Sequence, residues 1–233
     1  MGRTFVIAEA GSCHDNKMQS AYRLIDAAKE CDADACKFQF WSSSKALATR
    51  RGIPEAEPKY EAYRMYQSNL EMLKNHCDQV GIEFMVTVYI PEDIGTIAPL
   101  VRRFKVSAFE SKWSGEFTPY AQYEKPIIAS TNGGHSLHTL DKVKWLHCIS
   151  NYPTEMEDLN LNKMRHDCEY SGLSDHTANV LTGAAAVAAG ASIIEAHIKL
   201  EDTPADNPDF PHSLDHSEFE EYVRNIRTVE RML

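Results

Sequence analysis

Eight times along 233 residues a short run of strand-forming residues gives way to a segment with apolar side chains at helical spacing. That alternation confines the chain to folds built on a parallel sheet. RTFVIAE precedes SAYRLIDAAKEC, ADACKFQF is a second strand, and YEAYRMYQSNLEMLKNHCDQV reads as one helix closed by Gly81. IEFMVTV is the third strand, and PEDIGTIAPLV opens with Pro91, which suits a first helical turn. RFKVSA, KPIIAS and KWLHCIS are strands four to six, with short helices expected around EFTPYAQY and HSLHTLDKV. DLNLNKMRHD is the expected sixth helix and YSGLSDH the seventh strand. ANVLTGAAAVAAG is a helix, SIIEAHI the eighth strand, and SEFEEYVRNIRTVERML a closing amphipathic helix. The pattern predicts one α/β domain over residues 1–233, a closed (β/α)8 TIM barrel. An open doubly wound sheet is the alternative, and it is disfavoured because no GxGxxG follows the first strand. The one long connection, WSSSKALATRRGIPEAEPKY, is a candidate lid or substrate-binding segment.

Composition excludes several functions. A net charge of -10 with scattered Lys and Arg argues against a nucleic-acid surface, so an anionic small substrate needs locally placed cations. Six cysteines without a CxxC pair read as reduced thiols, with no disulfide frame and no zinc site. The N-terminal run lacks the long apolar core of a signal peptide, and VLTGAAAVAAGASII is too short to span a bilayer. A cytoplasmic protein without membrane contact is expected.

In such a barrel the chemistry gathers where the strands end. Glu9, Lys37, Gln39, Thr87, Lys105, Ser130, Ser150, His176 and His197 all fall near those ends and are expected around one mouth. His176 and His197 are 21 residues apart, one strand-helix unit. Neighbouring strands run about 4.8 Å apart, so the two imidazoles can reach one divalent ion. Each histidine alone reads more readily as a hydrogen-bonded barrel residue, and the pairing reverses that preference. Two imidazoles with open positions suit Mn2+ or a similar Lewis acid better than structural zinc. Asp175 is either an orienter of a ligand or a cap for the next helix. Lys37 and Lys105 lie inside apolar strands and must meet an anion, either Glu9 or Glu110 or a substrate phosphate or carboxylate. Their arrival with Ser130, Ser150 and Ser174 favours the substrate. His14 is placed near the mouth, whereas His135, His138, His147, His166, His212 and His216 share no ligand spacing and are expected to face solvent or make hydrogen bonds.

The segments IAEAGSCHDN, AAKECDADACKFQ, FKVSAFES, KPIIASTNG, LHCISNYPT, GLSDHT and IIEAHIKL occur in the order found in the sialic acid synthase family, which this chain resembles from Phe5 to Arg227. LHCISNYPT with GLSDHT is the most specific part. The resemblance implies a barrel that condenses phosphoenolpyruvate with an N-acetylated hexose. It implies His176 and His197 as ligands of Mn2+, with Mg2+ or Co2+ as substitutes, and Glu9, Lys37, Lys105 and Glu110 as the catalytic set. Phosphoenolpyruvate falls to Lys37, Lys105, Thr87, Ser130, Ser150 and Ser174. The sugar falls to Glu9, Gln39, Glu110 and Tyr152, with Asp209 matching a sugar-binding aspartate in the NPD segment. Two departures stand out within the motifs. KVSAFE carries Ala108 at the family's phosphate-binding serine, with Ser107 or Ser111 as replacements, and the stretch between His197 and Asp209 is one residue longer than the pattern. The resemblance covers the catalytic barrel alone; the family's C-terminal antifreeze-like domain, which lends an arginine across a homodimer, has no counterpart in these residues. The expected product is a nonulosonic acid of the N-acetylneuraminate type. A diacetamido sugar or phosphorylated aldose is the alternative acceptor, and a non-catalytic metabolite-binding barrel the alternative of another class.

Overall fold

A computed structural model of the protein describes residues 2–112, 117–133, 143–164 and 170–233. Strands β1 (Phe5–Glu9), β2 (Ala35–Phe40), β3 (Glu83–Val88), β4 (Phe104–Val106), β5 (Ile127–Thr131), β6 (Val143–Cys148), β7 (Tyr170–Asp175) and β8 (Ile193–Ile198) pair in sequence order, all parallel. β1 also pairs with β8, from Phe5 opposite Ile193 to Glu9 opposite His197, and so closes the barrel. A ninth strand absent from the sequence reading, β9 (Ser213–Leu214), lies parallel to the end of β8 with His197 opposite Ser213. Among the described residues no helix is long and apolar enough to cross a membrane.

The helices are α1 (Met18–Glu30), α2 (Ser44–Arg50), α3 (Glu57–Ala62), α4 (Gln67–Val80), α5 (Ile94–Ile97), α6 (Thr118–Ala121), α7 (Thr182–Ala188) and α8 (His216–Glu230). Three expectations are corrected. The long connection after β2 is partly helical: Ser43 caps α2 by accepting from the Ala46 N–H, and Pro54 and Pro58 open the turns that follow. The helix expected from Tyr60 is split, because Tyr66 is extended and Met65 is buried beneath the break; α4 then runs to Gly81, whose left-handed φ of 75° ends it. In place of the helix expected over DLNLNKMRHD are two 3-10 turns, Met156–Asp158 and Leu161–Met164. The helix expected over HSLHTLDKV, together with Cys168, His135, His138 and His166, lies outside the described residues. Cys13, Cys31, Cys36, Cys77 and Cys148 are buried free thiols.

Alternation along the strands divides the barrel interior into layers. Ile7, Ala35, Met85, Ile128, Leu146 and Ile193 form a separate apolar cluster inside the ring. Two residues further along the same six strands come Glu9, Lys37, Thr87, Ser130, Cys148 and Glu195, all facing one cavity. The outward positions, including Val6, Phe38, Val86 and Ile194, pack with α1, α4, α7 and α8 into the main core. Asp215 starts α8 with a reciprocal capping box to Glu218. At the opposite end of the barrel, Arg227 of α8 binds the Thr4 carbonyl at 2.8 Å and Asp34 at 3.0 Å.

Gly172 is required where β7 meets β8, since a Cβ there would lie 1.7 Å from the Ile193 carbonyl oxygen. Gly172→Ala is expected to destabilise the protein by about 3 kcal/mol, because backbone rather than a mobile side chain must give way. Urea unfolding of the variant against the wild type checks this.

Candidate active site

The cavity over the polar layer has a volume of about 480 Å³ and is open at the strand ends. At its floor lie two buried lysines and two buried carboxylates. Lys37 is ion-paired to Glu9 and donates to Thr87 Oγ1 at 2.9 Å. Lys105 donates to Ser130 Oγ at 2.8 Å. Glu195 sits between them, its Oε1 at 3.4 Å from Lys105 Nζ, 3.7 Å from Lys37 Nζ and 3.3 Å from Ser174 Oγ. Gln39 Nε2 donates to Glu9 at 2.9 Å. The lysines therefore do meet internal carboxylates, with Glu195 rather than Glu110 as the partner of Lys105. At 3.4 and 3.7 Å these contacts to Glu195 are loose, longer than a charge-assisted hydrogen bond of about 2.8 Å.

Burial and neighbouring charge compete at each group. Burial pushes the Lys37 ammonium toward deprotonation, but Glu195 and Glu9 outweigh it and hold its pKa above the ordinary lysine value. For Lys105 burial wins and the pKa is lowered. Burial raises Glu9, whereas for Glu195 the two lysines overcome burial and keep it ionised.

Along the β7 to β9 side the cavity is walled by imidazoles. His176, just past β7, and His197, in β8, have ring centroids 5.4 Å apart, as their strand positions predict. His176 Nδ1 is 3.2 Å from the Ile149 carbonyl, an arrangement in which Nδ1–H donates and Nε2 is left free for a metal. His197 Nδ1 is buried without a hydrogen-bond partner. A third ring belongs to His212, 3% exposed, with its centroid 4.5 Å from His197 and 5.8 Å from His176. Of the two roles expected for His212, solvent-facing or hydrogen-bonded, burial rules out the first, and its place among the other imidazoles was not foreseen. His147 follows that expectation, bonding the Leu159 carbonyl at 2.8 Å. Burial, reinforced by His212, pushes His176 down to about 4, and burial drives His197 well below the ordinary histidine value. Both rings are thus neutral at pH 7, the form that binds metals. An orphaned buried nitrogen in a cluster of imidazoles fits a divalent cation.

Asp209 is drawn to this wall by the loop before β9. Its Oδ2 accepts from the Ser12 N–H at 2.6 Å, and Asn207 bonds the Ser12 hydroxyl and carbonyl at 2.7 and 2.9 Å. Gly11, at a φ of 49°, permits this closeness: a Cβ there would lie 2.1 Å from Asp209 Oδ2. Tyr152 covers the mouth, its ring centroid 4.5 Å from that of His176 and 5.2 Å from that of His212. Ser150 lies two residues beyond β6, exposed, and still lines the cavity. His14 is buried and accepts from the Asn16 N–H, so its ring is turned away from the mouth. Asp175 accepts from the Thr177 N–H and hydroxyl and from Tyr222 at 2.8 to 2.9 Å, which makes it a turn cap.

Glu110 is the one expected site residue set back from the cavity. It stands behind Arg51, whose Nη2 reaches its Oε1 at 3.1 Å, and it accepts from Ser107 Oγ. The Arg51 guanidinium lies 4.7 Å from the ring centroid of Tyr89 and 5.0 Å from that of Phe109. Ser107 and Ala108 line the cavity, whereas Ser111 is buried and donates to the Ser130 carbonyl, so Ser111 does not replace the family serine. Arg51, Glu195 and His212 are cavity-lining residues that sequence reasoning missed. Glu195 was recoverable, since it lies two positions before His197 on the same face of its strand; Arg51 and His212 sit in connections without a period.

The NeuB family model matches residues 24–233. An uncharacterized protein from Methanocaldococcus jannaschii is 34% identical over 99% of this chain and 72% of its own length. The N,N'-diacetyllegionaminic acid synthase of Legionella pneumophila is 33% identical over 98% of this chain and 73% of its own. The fold matches that of N-acetylneuraminic acid synthetase from Leptospira borgpetersenii with a TM-score of 0.88 at 24% identity, over 99% of this chain and 85% of that one.

The lowered pKa of Lys105 has a measurable sign. The charged form binds anions, so affinity for inorganic phosphate is expected to fall with rising pH before the ordinary lysine range near about 10.4 is reached. Lys105→Gln is expected to remove that alkaline limb; calorimetric titrations across pH check both.

Proposed function

This chain belongs to the NeuB family, and on that premise we propose that it condenses phosphoenolpyruvate with an N-acetylated hexose of the N-acetylmannosamine type, releasing phosphate and a nonulosonic acid. The observation that carries the reading is the placement of a buried lysine pair and a wall of imidazoles in one cavity of about 480 Å³, large enough for two small substrates.

Lys37 and Lys105, with Thr87, Ser130, Ser174 and Ser150, receive the phosphate and carboxylate of phosphoenolpyruvate at the floor. Glu195 contacts both lysines loosely, so an incoming dianion can displace it from them without first breaking a tight pair. Glu9, whose pKa burial has raised, can take up a proton as that charge enters. His176 and His197 would hold the divalent cation, for which the reading takes Mn2+. When bound, it supplies Lewis acidity to the aldehyde oxygen of the open-chain sugar. C3 of phosphoenolpyruvate then attacks the aldehyde carbon, whose oxygen gains a proton. Water adds at C2 and gives one proton to a base, the C2–O bond to the phosphate group breaks, the new C2 hydroxyl gives its proton to the departing phosphate, and C2 is left as the ketone of a 2-oxo acid. Glu9, held by Gln39 and Lys37, is the carboxyl positioned to move a proton during water addition. The lysines accelerate this only as far as they bind the departing phosphate more tightly than the bound substrate.

The acceptor subsite is assigned from Arg51, which Glu110 holds from behind. The Arg51 guanidinium can donate to the carbonyl of an acetamido group, beside the Tyr89 and Phe109 rings that can shelter its methyl group. Tyr152 and Gln39 complete the sugar contacts. Lys59 and Lys112, exposed at the mouth, favour a phosphorylated aldose as the second reading.

Phosphate release from phosphoenolpyruvate plus N-acetylmannosamine, measured with added Mn2+, tests the assignment. His197→Ala is expected to reduce release to background with the fold intact by circular dichroism; full activity would reject the role. Arg51→Gln is expected to raise KM for the acetamido sugar about tenfold and leave KM for phosphoenolpyruvate unchanged.

A further inference from the structure

We infer that His212 and Asp209 are ligands of the divalent cation, so that the ion is held by three imidazoles and a carboxylate rather than by the His176 and His197 pair alone. The inference rests on the metal-dependent reading above and deepens it.

The distances carry the argument. His212 Nε2 lies 3.5 Å from Asp209 Oδ1, and His197 Nδ1 lies 3.8 Å from Asp209 Oδ2. Hydrogen bonds between such atoms run at about 2.7 to 3.2 Å, so both contacts are too long for one. Two atoms bound to the same cation at about 2.1 Å each stand roughly 3 to 4 Å apart, which matches. One ligand atom from each of His197, Asp209 and His212 lies within 4.8 Å of the others, close enough for small side-chain rotations to complete the shell. His176 faces the same space, with its Nδ1 toward the Ile149 carbonyl and Nε2 free.

The backbone is arranged to hold this set. β9 pairs with β8 at the ligand itself, His197 opposite Ser213, so the residue before Ser213 is carried alongside the His197 ring. Ser213 Oγ donates to the Asp209 carbonyl at 2.6 Å and closes the turn that carries both new ligands. The Ser12 N–H takes one lone pair of Asp209 Oδ2, and Gly11 gives that oxygen room. Asp209 is thereby oriented as a ligand-bearing carboxylate is by its supporting hydrogen bonds. A donor set of three imidazoles and one carboxylate favours Co2+, Fe2+ or Zn2+ over Mg2+, and leaves one or two positions for the aldehyde oxygen.

Metal affinity of the full chain, freed of metal by chelation and measured by calorimetry with Co2+ and no substrate, tests this. His212→Ala and Asp209→Asn are each expected to weaken Co2+ binding about tenfold or more, with the exposed His216→Ala unchanged as a control. Affinity within twofold of wild type for His212→Ala, alongside loss in His197→Ala, would overturn the inference and leave the proposed function standing. Wild-type protein that binds no Co2+ would overturn both. X-ray absorption of Co2+-loaded wild type gives a measure independent of variant folding: three imidazole rings around the ion are expected, and two would refute the assignment.

Discussion

Four buried charges on an apolar floor set the terms for the rest of this molecule. Lys37, Lys105, Glu9 and Glu195 are each 5% exposed or less, inside a barrel whose next layer down is aliphatic. Removing any one partner would leave a buried charge uncompensated, at a cost of about 3 to 5 kcal/mol. The arrangement is nonetheless uneven. Glu9 is tightly engaged by Lys37 and Gln39, whereas Glu195 is shared at 3.4 and 3.7 Å between two ammonium groups. An anion arriving at the lysines meets donors that are charged, desolvated and only partly committed, which is the condition under which electrostatic recognition is strong.

Glu195 also links the floor to the imidazole wall. It precedes His197 by two positions on β8, so one strand presents a carboxylate to the lysines and an imidazole to the cation space. β1 pairs with β8 on one side and β9 lies on the other, and the loop before β9 folds back onto Ser12 through Asn207 and Asp209. The wall is therefore built on backbone that is hydrogen-bonded on both flanks. Side chains of a reaction centre need such support, because an error of an ångström in placement is costly to catalysis.

Strand positions were legible because a residue inside a barrel strand has one buried environment, and a lysine or histidine there breaks an apolar alternation visibly. Lys37, Lys105, His176 and His197 were found that way. Connections proved harder. α2 and the first half of α3 lie where a loop was expected, since these short helices rest on caps and prolines rather than on a stripe of apolar residues. The split between α3 and α4 followed from burial of Met65, a tertiary effect without local signal. Glu195 shares the strand face of His197 and was legible in that sense, but only the closed ring shows that it meets both Lys37 and Lys105.

The sequence by itself determined the eightfold alternation, the closed barrel it implies, the end of the barrel where polar groups collect, and the pairing of His176 with His197. These depend on periods of two and 3.6 residues and on neighbouring strands, all written locally. The tertiary structure decided that His212 and Asp209 reach the same space as those histidines, and that Arg51 is backed by Glu110 at the cavity edge. Each of those contacts joins irregular connections whose path is set by packing and backbone pairing far along the chain, and no local periodicity encodes where such a path returns.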